Sequence, residues 1–282
     1  MSTILVTGAS GQLGQLVLKA LENSPDTVIA ASRDPSKLNT TFATRTADFD
    51  KPETLTEAFK GVDRVLIIST DALAVPGQRL KQHTAAVEAA KAAGVQHLVY
   101  TSLPHPEPGN KITFAPDHYG TEQAIKASGI AHTILRNDWY IENLLMSLPH
   151  ALETGQFYTS APDGRVAYVA REDAARAAAA ALSNAPGGTY TITGPDALTY
   201  GEIVAIANDA TGKSVSIVPV TDEQYAGGLT AAGLPGFVAD MLTSAEAAIR
   251  AGQLDGVTDA VTTLTGQAPK TAREVLTAAL KA

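Results

Sequence analysis

Residues 1–14 constrain this chain most, because a strand-like run is followed at once by three evenly spaced glycines. Residues 3–7 are apolar and rich in β-branched side chains, and Gly8–Gly14 leads directly into an apolar-periodic stretch that is typical of a helix. Strand, glycine-rich turn and helix in this order predict a dinucleotide-binding turn. A tight turn without a ligand is the alternative interpretation.

Each glycine of the G-x-x-G-x-x-G pattern has a physical role. Gly8 allows a sharp turn off the strand, and Gly14 allows the helix to pack closely on the sheet. Gly11 lets the backbone approach a pyrophosphate at the positive end of the helix. The predicted cofactor contacts on this turn are Gly8, Ser10, Gly11, Gln12, Leu13 and Gly14.

The composition excludes several classes of function. The chain has no cysteine, which excludes disulfides, thiolate metal sites and cysteine nucleophiles. Its net charge of −8 argues against binding to nucleic acid or to an anionic membrane. The sequence shows neither an apolar run long enough to span a membrane nor a signal peptide. We therefore expect a cytoplasmic monomer or homodimer that acts on a small molecule.

Strand-like and helix-like segments alternate through the first half of the chain. The strand-like runs are 27–31, 44–48, 64–69, 97–102 and 130–136, and the helix-like segments between them are 52–60, 77–93 and 117–128. Such alternation predicts right-handed βαβ units. The expected fold class is α/β, a Rossmann-like doubly wound parallel sheet.

The pattern becomes less regular after Arg136. It predicts a helix over 138–153, extended runs at 156–160 and 165–169, a helix over 171–182 and a strand at 189–193. Further helices are predicted over 200–211, 221–232, 236–251 and 271–280, with a strand near 214–218. We predict a dinucleotide-binding domain over 1–137, to which 165–195 partly return. Residues 138–164 and 196–282 are predicted to form a smaller, mostly helical substrate lobe.

The end of the second strand indicates which dinucleotide binds. NAD-binding folds carry an acidic residue there for the ribose 2′-hydroxyl, whereas this chain has Arg33, with Lys37 close by. A guanidinium can bind a 2′-phosphate through two hydrogen bonds, so the sequence favours NADPH (NADP). Asp34 then caps the turn before Pro35. A solvated surface arginine is the alternative for Arg33.

Polar and aromatic residues follow the other strands, at the edge of the sheet where ligands bind in such folds. Asp48 and Phe49 are placed for the adenine, with a helix cap as the alternative for Asp48. The remaining predicted cofactor contacts are Ser69, Thr70, Thr101 and Ser102. The predicted substrate contacts are Asn137, Trp139 and Tyr140, with core packing as the alternative for the two rings.

The sequence does not identify a catalytic acid. Short-chain dehydrogenases use a serine and a Tyr-x-x-x-Lys pair, in which the lysine lowers the pKa of the tyrosine. This chain has Ser102 and Tyr119, but the position four residues after Tyr119 is the uncharged Gln123. Tyr119, His118 and Asn137 remain candidates. No metal site is predicted.

The absence of a Tyr-x-x-x-Lys pair favours an acceptor that needs no strong acid. Hydride addition to an ordinary ketone requires a proton donor at the developing alkoxide. Reduction of a quinone gives an anion whose charge is delocalised, so positioning and weak hydrogen bonds suffice. The residue pattern is therefore compatible with planar, electron-poor acceptors.

Several segments together resemble the NmrA-like branch of the atypical short-chain dehydrogenase/reductase superfamily. They are Thr7–Gly14, Arg33–Pro35, Ala89–Val95, Tyr100–Ser102, Leu135–Asn143 and Thr265–Thr271. Within that branch the chain is similar to the bacterial NAD(P)H:quinone oxidoreductases of type 2 and, somewhat less, to the triphenylmethane-dye reductases. The Arg-Asn-x-Trp-Tyr-x-Glu-Asn segment is the most specific of these.

The resemblance implies NADPH on Gly8–Gly14 and Arg33, an acceptor in the cleft between the lobes, and no Tyr-x-x-x-Lys pair. Gln123 departs from the family pattern, because quinone-reductase relatives can carry lysine at this position. The proline-rich segment 104–116 lies where the relatives vary. The expected function is direct hydride transfer from NADPH to a quinone-like acceptor. The alternative is a non-catalytic NADP(H)-binding redox sensor that acts through a protein partner.

Overall fold

The structure of the protein is a computed structural model, in which residues 1–281 are described. In chain order the strands are β1 (Thr3–Val6), β2 (Thr27–Ser32), β3 (Ala43–Thr46), β4 (Arg64–Ile67), β5 (His97–Ser102), β6 (Ala131–Asn137), β7 (Gln156–Thr159), β8 (Arg165–Val166), β9 (Gly188–Ile192), β10 (Leu198–Thr199) and β11 (Ser216–Pro219). The helices are α1 (Gln12–Ala20), α2 (Pro52–Ala58), α3 (Gln78–Ala92), α4 (Ala115–Ser128), α5 (Leu148–Thr154), α6 (Arg171–Asn184), α7 (Tyr200–Thr211), α8 (Asp222–Ala231), α9 (Gly236–Arg250), α10 (Ala260–Thr265) and α11 (Ala272–Lys281).

The main sheet has seven strands in the order β3-β2-β1-β4-β5-β6-β9. The ladders that join β3 through β6 are all parallel, and Leu5 of β1 lies opposite Ile29 of β2 and Val65 of β4. This topology confirms the predicted Rossmann-like α/β fold. Because the strands are parallel, the loops that follow β1, β2, β4 and β5 leave the same edge of the sheet.

The strands are buried because helices cover the sheet. All six residues of β5 are buried, as expected for a strand of a parallel sheet that is packed on both faces. One apolar cluster joins strand residues such as Leu5 and Tyr100 to Phe59, which follows α2, and to Ile125 of α4. This core fixes the strand ends from which the site residues extend.

The chain divides into two compact units. Unit 1 comprises 1–103, 117–136 and 172–191, and unit 2 comprises 104–116, 137–171 and 192–282. Unit 2 contains two small sheets, in which β7 pairs with β11 in parallel and β8 pairs with β10 in antiparallel orientation. It also includes 104–116, which the sequence analysis assigned to the first domain. Of the helices within residues 1–281, none has the length and apolarity needed to cross a membrane.

The predicted helix over 138–153 is wrong, because the structure divides this segment into three parts. Tyr140 is extended and pairs with Val169 in an isolated parallel bridge. A 3-10 segment covers Ile141–Met146, and α5 begins only at Leu148, with Pro149 in its first turn. The extended run predicted at 165–169 is a strand only over β8, and α10 was not predicted at all.

Helix α1 packs so closely on the glycine turn that we expect Gly14→Ala to destabilise the protein. An added Cβ would lie 2.2 Å from the carbonyl oxygen of Gly8 and 2.8 Å from the Cα of Ala9, both backbone atoms. Overpacking of this kind costs about 1–3 kcal/mol. Urea unfolding should show a lower midpoint for this variant. Gly227→Ala is the control, because its Cβ meets nothing within 4 Å; an equal loss in both variants would contradict the packing argument.

Candidate functional site

The glycine turn leaves the start of α1 open to solvent. Gly8 has a φ of +61°, and its carbonyl accepts the Gly11 N–H at 3.0 Å. Ser10, Gly11 and Gln12 are exposed, whereas Leu13 is buried. The first N–H groups of a helix have no carbonyl partner within the helix. This end of α1 therefore offers donors and a positive potential to an anion.

Arg33 follows β2 and is exposed. The adjacent Asp34 accepts the Ser36 N–H at 3.2 Å and the Ser36 hydroxyl at 2.6 Å, and it lies 3.2 Å from Lys37 Nζ. The Ser36 hydroxyl, followed by Lys37, lowers the pKa of Asp34. Asp34 thus caps the short 3-10 turn 35–37, as the sequence analysis allowed. Contacts of Arg33 and Lys37 with a cofactor stay predictions.

Asp50 is a second carboxylate near Arg33 that the sequence analysis missed. It accepts hydrogen bonds from the side-chain amides of Gln82 at 2.8 Å and Gln78 at 2.5 Å. These bonds lower the pKa of Asp50, and the charge of Arg33 contributes less. A sequence gives no sign of this cluster, because α3 supplies both glutamines about thirty positions after Asp50.

Asp48 and Phe49 both have structural partners within unit 1. The Asp48 carboxylate accepts the Asp50 N–H at 3.1 Å and lies 3.7 Å from Lys51 Nζ. Phe49 is buried in the apolar core. Asp48 therefore stabilises the turn before α2, and contact of either residue with adenine stays a prediction.

The loop after β4 is held by two neighbouring elements. The Ser69 N–H donates to Thr101 Oγ1 at 2.9 Å. The Thr70 N–H donates to His83 Nε2 at 2.9 Å, and the Thr70 hydroxyl donates to Gln82 Oε1 at 2.6 Å. Since Nε2 of His83 accepts, its ring proton in the neutral form lies on Nδ1. The loop predicted to lie beside the nicotinamide ribose is thus fixed by protein hydrogen bonds.

His83 belongs to a buried aromatic cluster with Tyr100 and His118. The Tyr100 hydroxyl lies 2.9 Å from His118 Nδ1 and 3.3 Å from His83 Nδ1. Burial, with a smaller contribution from Arg79, lowers the pKa of His83 to about 3 and the pKa of His118 well below its usual value. Burial raises the pKa of Tyr100. A neutral imidazole at His118 is a poor acid, so the structure does not favour it as a proton donor; the neighbouring Tyr119 is partly buried.

Ser102 at the end of β5 is bound to a buried carboxylate. Its hydroxyl donates to Glu122 Oε1 at 2.7 Å, and Arg136 binds both oxygens of Glu122 at 2.9 and 2.8 Å. Lys126 Nζ lies 3.9 Å from the same carboxylate, whereas Gln123 is exposed. At this strand end Ser102 is thus hydrogen-bonded to the Glu122–Arg136 ion pair.

The predicted substrate residues Asn137, Trp139 and Tyr140 belong to unit 2. Asn137 Nδ2 donates to the Tyr140 hydroxyl at 3.0 Å. The Trp139 N–H donates to Asp138 Oδ1 at 2.7 Å, and Trp139 is partly buried. Burial raises the pKa of Asp138 well above its usual value, and Asp255 adds to the effect. The polar ends of Asn137 and Tyr140 are therefore brought together, while their contact with a substrate stays a prediction.

Arg171 completes this group and was missed by the sequence analysis. Its guanidinium carbon lies 5.0 Å from the ring centroid of Tyr140, which is a cation–π distance. Its Nη2 donates to Asn143 Oδ1 at 3.1 Å, and its backbone N–H donates to the Glu142 carboxylate at 3.0 and 3.1 Å. The only signal in the sequence is an arginine at the start of a predicted helix, which is too common to indicate a site.

The comparisons with known proteins agree with this architecture. Residues 1–259 match the NmrA-like family, and the chain therefore belongs to that family. Quinone oxidoreductase 2 of Escherichia coli (strain K12) is 38% identical over 259 residues, which cover 89% of each chain. NAD(P)H azoreductase of Xenophilus azovorans is 32% identical over 278 residues, which cover 96% of each chain.

Two solved structures are also similar to this chain over nearly its whole length. The crystal structure of the NADPH-dependent quinone oxidoreductase of E. coli in complex with NADPH has a TM-score of 0.92 and 35% identity, covering 98% of this chain and 99% of that one. The triphenylmethane reductase of Citrobacter sp. in complex with NADP(H) has a TM-score of 0.91 and 33% identity, with the same coverage.

The buried histidines predict a loss of stability in mild acid. An unfolded histidine binds a proton as the pH falls through about 6.5, whereas His83 stays neutral down to about 3. The contribution of neutral His83 to the free energy of unfolding is therefore complete above about pH 6.5. It decreases as the pH falls from about 6.5 toward about 3, because the unfolded state binds more protons than the folded state. At about pH 5 we expect His83 to account for a loss of about 2 kcal/mol.

Urea unfolding at about pH 7 and pH 5 measures this dependence. His83→Gln should reduce the difference in unfolding free energy between the two pH values by about 2 kcal/mol. The exposed His150 gives the control variant His150→Gln, which should leave the difference unchanged. An unchanged difference in His83→Gln would contradict the assignment of a neutral His83.

Proposed function

We propose that this chain is an NADPH-dependent oxidoreductase that transfers hydride directly to a quinone or a similar planar, electron-poor acceptor. The observation that carries the proposal is the open, glycine-lined start of α1 with the exposed Arg33 at the end of the neighbouring strand. The relatives solved with NADPH and NADP(H) support the same cofactor. The relatives named as quinone oxidoreductase and azoreductase support the acceptor class.

The residues present fit this cofactor. A Cβ at Gly11 would lie 3.3 Å from the Gly8 carbonyl oxygen, a tight contact, so glycine suits this exposed position at the start of α1. The N–H groups at the start of α1 would hold the pyrophosphate, and Arg33 would hold the 2′-phosphate. Thr70 and Thr101 would lie beside the nicotinamide ribose. Bound NADPH would supply the hydride.

The end of β5 favours an acceptor that tolerates weak acid catalysis. Ser102 donates a hydrogen bond to Glu122, and Arg136 compensates the charge of Glu122. With Gln123 in place of the lysine, this strand end offers no lysine-activated phenol. A quinone suits such a site, because its reduced form spreads the added charge over the ring. Asn137, Trp139 and Tyr140 are the proposed acceptor contacts.

Steady-state oxidation of NADPH in the presence of benzoquinones, naphthoquinones, an azo dye and an aldehyde tests the proposal. We expect turnover with quinones and less with the aldehyde, because its alkoxide is far more basic than a hydroquinone anion and needs a stronger acid. Tight NADPH binding, measured by fluorescence titration, without turnover of any acceptor would contradict enzymatic activity. That outcome would leave the non-catalytic NADP(H) sensor as the function.

Arg33→Ala should weaken binding of NADPH far more than binding of NADH. Loss of a hydrogen bond to a charged group costs about 1.5–3 kcal/mol, or roughly tenfold to 150-fold in Kd. Lys60→Ala is the control, since it removes the same charge at an exposed position where the lysine pairs with Glu57. Titration of both variants with both cofactors measures the effect, and an equal loss for NADPH and NADH would refute the 2′-phosphate assignment.

A further inference from the structure

The hydroxyl of Tyr140 is oriented by an amide. Asn137 Nδ2 donates to it at 3.0 Å, so the phenol accepts this bond and its own proton remains free to be donated in another direction. The Asn137 carbonyl oxygen Oδ1 is buried and has no hydrogen-bond partner among residues 1–281. Asn137 is only 6% exposed. Buried acceptors of this kind are rare and indicate a missing ligand or water.

The ring of Tyr140 lies under a fixed cation. The guanidinium of Arg171 is 5.0 Å from the ring centroid and is held by Asn143. A cation at this place stabilises a phenol that develops negative charge during proton donation. Burial nevertheless raises the pKa of Tyr140 above its usual value, while Asn137 and Arg171 act in the opposite direction. The phenol thus keeps its proton at neutral pH, as a donor must.

We propose that Tyr140 donates a hydrogen bond and then its proton to the acceptor oxygen, with Asn137 and Arg171 as positioning residues. This inference rests on the proposed function. A hydrogen-bonding amide and a guanidinium over the ring would replace the lysine that accompanies the tyrosine in short-chain dehydrogenases. The proposed donor Tyr140 lies on the segment after β6, whereas Tyr119 and Gln123 lie on α4.

The step balances with NADPH as the reductant. The nicotinamide loses a hydride, and the quinone gains that hydrogen with its electron pair and is reduced. The Tyr140 O–H bond breaks as its proton passes to the quinone oxygen that becomes negative. The products are NADP⁺ and the hydroquinone, and the phenolate recovers a proton from water.

Tyr140→Phe tests the proposal with a series of quinones. We expect kcat for electron-rich quinones to fall by about tenfold to a hundredfold, the scale of a single lost donor in general acid catalysis or anion stabilisation. The loss should shrink as electron-withdrawing substituents make the reduced oxygen less basic. A purely structural role would slow all quinones equally, and that result, or an unchanged kcat, would overturn the proposal.

A triphenylmethane dye cation serves as an acceptor whose reduction needs no proton donor. Its central carbon takes a hydride and becomes neutral, so no proton is needed. If the wild type reduces such a dye, Tyr140→Phe should keep that rate within about threefold while quinone reduction falls. An equal loss with dye and quinone would overturn the proposal. If the wild type reduces no dye, the substituent series alone decides.

Control variants separate the roles. Tyr158→Phe makes the same change at an exposed tyrosine of unit 2 and should leave quinone kcat unchanged. Arg171→Met should reproduce part of the selective loss, and Arg171→Lys should restore some of it by returning the charge. Kd for NADPH should stay unchanged in Tyr140→Phe. A selective loss in Tyr119→Phe instead would place the donor on α4 and overturn the proposal.

The two proposals fail in different ways. A wild-type protein that binds NADPH but reduces no quinone refutes the proposed function before any variant is made. A wild-type protein that reduces quinones, with Tyr140→Phe equally active across the substituent series, keeps the proposed function and refutes the role of Tyr140.

Discussion

The close approach of α1 to the turn after β1 is the constraint on which the candidate cofactor site of unit 1 depends. The backbone of Gly14 comes so near Gly8 that even one Cβ would overlap the carbonyl oxygen. This contact fixes where the first helical N–H groups lie relative to the strand ends. The adjacent β2 is paired with β1 in register, so Arg33 leaves the same sheet edge. The helix end and the cation that we propose for the phosphates of the cofactor are therefore placed by backbone packing, with little help from side chains.

The loop after β4 is fixed by neutral groups, and the buried charge of Glu122 is compensated by Arg136. The loop after β4 is held by His83 and Thr101, and burial keeps His83 uncharged. Glu122 is paired with Arg136 and hydrogen-bonded by Ser102. An uncompensated buried charge would cost several kcal/mol. These groups therefore serve the architecture, and the missing Tyr-x-x-x-Lys lysine is consistent with a strand end whose carboxylate is already neutralised.

Much of unit 1 could be predicted because its signals are local. Buried parallel strands give continuous apolar runs, and the helices between them end at glycines such as Gly94 and Gly129. The prediction for the segment after β6 was wrong. Trp139 and Leu144 fit a helical period, but the backbone at Tyr140 is extended, because it pairs with Val169 in a parallel bridge. That bridge depends on a partner 29 positions away, which no local pattern reveals.

The same limit applies to the chemistry of the candidate site. The residues predicted to contact a dinucleotide could be chosen because each follows a strand, and strand ends can be read from the sequence. Arg171 and Asp50 were missed because their relation to Tyr140 and Arg33 arises only in the folded units. Sequence motifs therefore indicate candidate ligand-binding positions in this fold, whereas the charged groups beside those positions come from distant parts of the sequence. An arginine over a phenol can supply the positive charge that a lysine supplies elsewhere, so the loss of a family motif does not by itself mean the loss of its electrostatic effect.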